Sequence, residues 1–143
     1  MSMAAQPLGK AVYIVTEDDR LWLQSVQRKL YARSRENPSY VFEELWGLVT
    51  DLRNLRMAFN RVRGNRGART AGVDRVTVRK VVHYGVEPFL VAVREELRSG
   101  LFHPSPVRRV LIPKAGKPGA FRPLGIPTVK DRVIQAATKQ AVA

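Results

Sequence analysis

Cysteine is missing altogether from the 143 residues, so neither a disulfide framework nor a thiolate zinc site can be built. Two histidines, His83 and His103, argue against a catalytic zinc. Long apolar runs are missing too: nothing approaches the roughly 20 residues needed to span a bilayer, and the N-terminus lacks the basic-then-apolar order of a signal peptide. No segment joins a lysine-rich face to a broad apolar one, which sets membrane surfaces aside. The chain therefore reads as cytoplasmic. Acidic residues are scarce, 12 Asp and Glu against 25 Lys and Arg, for a net charge of +13. The first fifty residues carry six bases and six acids, so the whole excess, nineteen bases against six acids, lies in residues 51–143. Such one-sidedness favours a polyanionic partner, because each phosphate met by a Lys or Arg releases condensed counterions. Nucleic acid is the first expectation.

The length suits one compact domain, or a small domain behind an N-terminal extension. The first dozen residues are mixed in character and expected to be mobile. Thr16 then caps a helix with Glu17, Asp18 and Asp19 in its first turn and Leu23, Val26 and Leu30 at helical spacing, ended by Asn37-Pro38. A second short helix is expected from Ser39, with Phe42, Leu45, Trp46 and Val49 as its apolar face. A third, begun by Thr50 or Asp51, buries Leu52, Leu55, Met57 or Phe59, and Val62, turns Arg53, Arg56, Arg61 and Arg63 outward, and stops at Gly64. The segment Gly64 to Asp74 is a loop whose three glycines can take positive φ and expose backbone amides. Val78, Val81 and Val82 fit a helix or a strand equally well. Glu87 to Ser99 is a helix stopped by Gly100.

The last third changes character. Prolines and β-branched residues mark a strand over Val107 to Lys114, a turn over Ala115 to Ala120 with Gly116, Pro118 and Gly119, and a returning strand over Phe121 to Ile126. Thr128 caps a final helix, with Asp131 completing an Asp-type capping box. The hairpin gathers Lys114, Lys117 and Arg122 around its turn, a combination of point charge, planar fork and turn amides that suits phosphate. Alternation puts Arg108 and Arg109 on opposite faces, so at most one of them shares a face with Lys114.

The residues Val107 to Lys114 (Val-Arg-Arg-Val-Leu-Ile-Pro-Lys) and Phe121 to Ala137 (beginning Phe-Arg-Pro-Leu-Gly-Ile-Pro-Thr) closely resemble the first finger motifs of group II intron reverse transcriptases, the multifunctional intron-encoded maturases. Phe42 to Thr50, the Asn65 to Asp74 loop and Gly100 to Pro104 are also similar to that family's N-terminal region. The resemblance covers roughly residues 20–137. It implies an α+β arrangement: a helical N-terminal region (an extension over 1–36, then 37–143 as N-terminal region and fingers), a fingers β-hairpin and a helix of the right-hand polymerase fold, with the palm absent. It implies that Lys114 and Arg122 contact the triphosphate of an incoming deoxynucleotide, with Lys117 beside them on the turn. It implies that Asn65, Arg66, Gly67 and Arg69, together with Arg108 and Arg109, lie against template RNA. One departure stands out: the family has Gly after the aspartate of the loop, whereas Arg75 stands here, which puts a tight turn at that point in question.

The family's two metals sit on palm aspartates, one pair in a Tyr/Phe-x-Asp-Asp hairpin, and no such motif occurs in this chain. No catalytic or metal-binding residue is therefore assigned, Mg2+ is expected only in a complete enzyme, and the chain by itself is expected to be inactive. Three readings follow: the fingers part of a group II intron RNA-directed DNA polymerase that binds RNA template and deoxynucleotide triphosphate; a non-enzymatic basic RNA-binding module; or a subunit docking on a separate palm-bearing chain or a second copy, through the face of the last helix that carries Val133, Ile134, Ala136 and Ala137. Blander roles are expected elsewhere. Asp18 and Asp19 complement the helix dipole rather than hold a metal, His83 and His103 are neither ligands nor catalysts, and Trp22 and Trp46 belong to the core. Arg53, Arg56, Arg61 and Arg63 stay open between a solvated face and RNA contact.

Overall fold

A computed structural model gives the structure over residues 15–142. The expectation for the first dozen residues, and the role assigned to the Arg66 side chain, lie outside the described residues. Among the described residues six α-helices and one two-stranded antiparallel sheet make an α+β fold in which the helices form the body and the hairpin projects from it.

Helix α1 (Glu17–Glu36) starts where the sequence says, with the Thr16 hydroxyl accepting from the Asp19 amide at 3.1 Å. Asp19 does more than complement the dipole. Its carboxylate is 4 % exposed and takes both Nε and Nη2 of Arg56 at 2.8 Å, tying α1 to α3 (Leu52–Gly64). Hydrogen bonding from Arg56 holds its pKa below the ordinary carboxylate value, against the burial that would raise it.

The short helix α2 spans only Leu45–Val49 and has no side-chain cap. Ser39 does not begin it, because the Asn37 side chain accepts the Ser39 amide and the Asn37 carbonyl accepts that of Tyr40, closing a turn in which helix cannot start. Trp46 also departs from expectation: it is 54 % exposed rather than core. Asp51 caps α3 through the Arg53 amide at 2.8 Å, and Leu55, Ala58, Phe59 and Val62 form the buried face. Arg53 and Arg56, both expected to face outward, are committed within the fold. Arg53 pairs with Asp51 and lies 4.0 Å from the centre of the Trp22 ring, while Arg56 pairs with Asp19 and Glu87.

The valine-rich stretch resolves as helix α4 (Val78–Tyr84), capped by Thr77, with all three valines buried. Helix α5 (Val86–Ser99) ends on Gly100 at φ 77°. Helix α6 (Val129–Val142) packs along α3, and Val133 and Ala137 are fully buried. This overturns the expected exposure of Val133 and Ala137, which α3 covers, while Ile134 and Ala136 are half-buried at the edge of the core. A buried polar ladder fixes the register of the two helices. Asn54 donates to the Val49 and Ala137 carbonyls, and Gln140 donates to the Asn54 side-chain and backbone oxygens.

Strands β1 (Arg108–Pro113) and β2 (Phe121–Ile126) pair with Arg108 opposite Ile126 and Pro113 opposite Phe121. Nearly all of β2 is exposed. Among the described residues no helix is long and apolar enough to cross a membrane.

Candidate nucleotide and nucleic-acid interface

Pairing register decides which hairpin side chains can act together. Ile112 stands opposite Arg122, and the Lys114 amide donates to the Ala120 carbonyl at 2.9 Å, extending the ladder by one pair. Side chains alternate, so Arg108, Val110, Ile112 and Lys114 share one face with Ala120, Arg122, Leu124 and Ile126. Lys114 and Arg122 are thus diagonal neighbours, roughly 7–8 Å apart at the backbone, within reach of one phosphoryl group by their long side chains. Lys117 stands apart from them at the tip, exposed on the turn. The turn needs Gly116 at φ 75° and Gly119 at φ 82°, a conformation that only glycine adopts without strain. Its amides are partly used: Lys117 and Ala120 donate to the Lys114 and Lys117 carbonyls, so these do not remain for a ligand.

Of the two adjacent arginines, Arg108 is the one on the Lys114 face, and it is already engaged. Its Nε donates to the Ala71 carbonyl at 3.0 Å. Arg109 lies on the opposite face with Leu111, Pro113, Phe121 and Pro123, where Leu111 and Phe121 are each more than half exposed. No side chain of Arg109, Lys114, Lys117 or Arg122 pairs with another described residue. The reason lies in the sequence: no acid occurs between Glu96 and Asp131, and the ion pairs of the structure are confined to the helical body. Four cations are therefore left facing solvent on a projecting element.

The Gly64 to Asp74 loop departs from its sequence reading. None of its three glycines takes positive φ; Arg66–Arg69 instead winds a single 3₁₀ turn, with the Ala68 and Thr70 amides donating to Asn65 and Gly67 carbonyls. The amides expected to face a ligand are thus used inside the turn. Gly72 is needed for close approach rather than for φ: a Cβ there would lie 2.7 Å from the Thr128 backbone. The tight turn that Arg75 put in question does form. The Arg75 amide donates to the Gly72 carbonyl at 3.1 Å, and Arg75 itself takes φ 61°, at a cost of roughly 1–2 kcal/mol for a residue with a side chain. Asn65, Gly67 and Arg69 are all exposed along this loop.

The residue that organises the interface is one that sequence reasoning missed. Arg132, in the first turn of α6, donates to the Pro127 carbonyl at 3.1 Å, to the Gly67 carbonyl at 2.9 Å, and to the Thr70 carbonyl. Burial lowers its pKa from the ordinary arginine value, with Asp74 opposing that shift. Arg132 and Arg108 together pin the loop between the start of α6 and the base of the hairpin. The sequence signal was a basic residue in the first turn of a helix, where the dipole disfavours positive charge and another role is called for. Asp131 behaves similarly. Its amide donates to the Thr128 hydroxyl, but its carboxylate accepts from the Ser105 amide at 2.9 Å rather than closing the expected capping box, so it holds down the strand's approach segment. Among the described residues no three carboxylate, imidazole or thiol groups gather as a metal site would require.

No family model matches the chain. It is 37 % identical over 120 residues to Protein YkfC of Escherichia coli (strain K12), a match covering 84 % of this chain and 31 % of that protein. It is 29 % identical over 115 residues to the group II intron-encoded protein LtrA of Lactococcus lactis subsp. cremoris, covering 80 % and 18 %. It is 26 % identical over 112 residues to the putative COX1/OXI3 intron 2 protein of Saccharomyces cerevisiae, covering 78 % and 12 %. The resemblance read from the finger motifs therefore stands: the chain is similar to group II intron-encoded maturases and reverse transcriptases. It spans about a third or less of the length of the relatives it matches.

Proposed function

We propose that this chain is the N-terminal region and fingers of a group II intron-type RNA-directed DNA polymerase, with residues 1–36 as an extension and residues 37–143 carrying the interface. The hairpin face of Lys114 and Arg122, with Lys117 at the tip, takes the triphosphate of a deoxynucleotide. The loop from Asn65 through Arg66, Gly67 and Arg69, with Arg109 on the outer face of the hairpin, lies along RNA. Arg108, on the inner face, lies against RNA as well, and its Nε holds the loop through the Ala71 carbonyl. The observation that carries this reading is the pairing register, which sets two uncommitted cations diagonally on one strand face with no carboxylate nearby. The similarity to intron-encoded proteins supports it. Palm aspartates and their Mg2+ would have to come from outside the described residues, so nucleotide binding rather than synthesis is assigned to this chain.

Binding of a fluorescent deoxyadenosine triphosphate, compared with the monophosphate, tests the proposal. The triphosphate should bind more tightly, and a Lys114→Ala/Arg122→Ala variant should lose on the order of tenfold or more, since each charge-assisted contact contributes about 1.5–3 kcal/mol before solvent screening. Equal triphosphate binding by the variant would overturn the nucleotide role. If that variant also bound RNA normally, the non-enzymatic RNA-binding module would become the better reading.

A further inference from the structure

The hairpin has two free edges, and they are not equivalent. In an antiparallel pair, residues whose amides and carbonyls bridge the strands alternate with residues whose main-chain groups point away from the partner strand. The Lys114 amide bonds the Ala120 carbonyl, so Arg108, Val110 and Ile112 are the bridging residues of β1. Arg109, Leu111 and Pro113 therefore turn their main-chain groups outward, as do Phe121, Pro123 and Gly125 on β2. Both prolines fall in the outward set, where the missing N–H costs the ladder nothing. Their effects on the edges differ. Pro123 interrupts the middle of the β2 edge, leaving no donor between Phe121 and Gly125. Pro113 is the last residue of β1, so the run from Arg109 to Leu111 keeps both outward amides and both outward carbonyls. Among the described residues β2 is the one strand beside β1, and none bonds to the main chain of Arg109 or Leu111.

An edge of this kind takes an extended segment, because extended main chain repeats its donors and acceptors every two residues, about 7 Å, in step with the edge. Side chains then say which segment. Arg109 and Leu111 share the outer face, where Leu111 is mostly exposed, and Val110 between them is half-buried on the other face. A strand laid antiparallel along β1 would set an apolar side chain beside Leu111, a β-branched one beside Val110 and a third beside Arg109. Charge selects an acid for that third place. The Arg109 side chain has no partner among the described residues, and no acid occurs in the sequence between Glu96 and Asp131 to compete for it. A second copy of the chain fits poorly, since it would bring an equally acid-free hairpin against the same arginines.

We infer that the outer edge of β1 is a strand-addition site for an acidic, extended segment of a partner protein, whose residues run apolar, β-branched, acidic from its N-terminal side. The added strand continues the plane of the sheet. It covers neither the Lys114 face nor the Arg109 face, so the site is independent of the nucleotide and RNA roles of the hairpin.

A terminally blocked octapeptide, Thr-Val-Leu-Val-Glu-Ile-Asp-Ser, serves as the probe and is titrated into the isotope-labelled chain at low salt. Hydrogen exchange read by NMR should slow at least tenfold at the Arg109 and Leu111 amides when peptide saturates, and should not change at Phe121 and Gly125 on the other edge. The same peptide N-methylated at its Leu and Glu, whose amides would face β1, should bind at least tenfold more weakly. Exchanging its Glu and Asp for Lys should weaken binding at least fivefold, by a margin that narrows as salt rises. Leu111→Pro removes an outward amide that β2 does not use and should lose at least tenfold in peptide affinity, whereas Leu111→Ala keeps the amide and should lose less. The β2 amide resonances check that the hairpin is kept in each variant, and the N-methylated peptide tests the edge on the unmodified chain. Equal binding of the N-methylated peptide, or protection at Phe121 and Gly125 instead, would overturn strand addition at β1. Equal binding of the lysine peptide would overturn the acidic partner, as would protection of Arg109 and Leu111 that grows with protein concentration when no peptide is present, which would assign the edge to a second copy.

Discussion

Replacing Arg132 by alanine should loosen the glycine loop without dismantling the helical body. The guanidinium satisfies three carbonyls. Gly67 is exposed, so water can take over its carbonyl at little cost, whereas Pro127 and Thr70 are half-buried and should each lose about 1 kcal/mol. Lost packing of the methylene stem adds roughly 0.5–1 kcal/mol. The sum is about 2–3 kcal/mol, which for a chain of this size lowers the melting temperature by roughly 6–10 °C. The Ala68 and Thr70 amides, bonded to Asn65 and Gly67 within the 3₁₀ turn, should exchange with solvent about 30-fold faster, the factor that 2 kcal/mol of local opening implies. Hydrogen exchange followed by mass spectrometry or NMR reads this directly, with α5 amides as the internal reference. Arg132→Lys keeps the stem and a point charge but cannot fork onto three carbonyls, so it should recover less than half of the loss. If exchange at Ala68 and Thr70 is unchanged, or if lysine restores wild-type behaviour, the clamp is not what holds the loop.

Further expectations follow from single features of the fold. Arg75→Gly should raise the urea midpoint by the equivalent of about 0.5–1 kcal/mol, because relief of the positive φ outweighs the entropy that glycine gains when unfolded, while Arg75→Ala should not. Gly72→Ala should cost about 1–3 kcal/mol in the same assay, since its Cβ would meet Thr128 and Pro127 backbone that cannot step aside; a neutral result would mean that the loop does not rest on α6. Asp19→Asn should cost about 3 kcal/mol at neutral pH, the lower end for a broken buried pair because Arg56 retains Glu87. The carboxyl of Asp19 has a folded pKa below its unfolded value of about 3.8, so its contribution is full above that value and disappears as pH falls through the folded pKa. Stability of the unmodified chain should therefore decline more steeply with acid than that of Asp19→Asn, and parallel curves would refute the assignment.

Much of the scaffold was legible in the residues alone. Helix starts at Thr16, Asp51 and Thr128, the stop at Gly100 and both hairpin strands follow from capping chemistry, glycine conformation and β-branched runs, which act over three or four neighbouring residues. Strand alternation likewise separated Arg108 from Arg109. The failures share a cause. Ser39 lost its cap to a turn made by Asn37; Trp46 faced solvent because α2 is only five residues long; and Val133 and Ala137 of α6 were covered by α3, a helix some eighty residues earlier.

The amino-acid order by itself determined where the charge lies and which residues sit on one face of the hairpin, because charge is additive and pleating has a period of two. Only the tertiary structure decided which cations remain uncommitted. Arg56 and Arg108 looked no different from Arg69, Arg79 or Arg122 along the chain, yet the first two found a carboxylate or a backbone carbonyl on distant segments and the others did not. A guanidinium's partner is fixed by proximity in space, and that proximity is created by packing helices whose burial depends on the whole core at once.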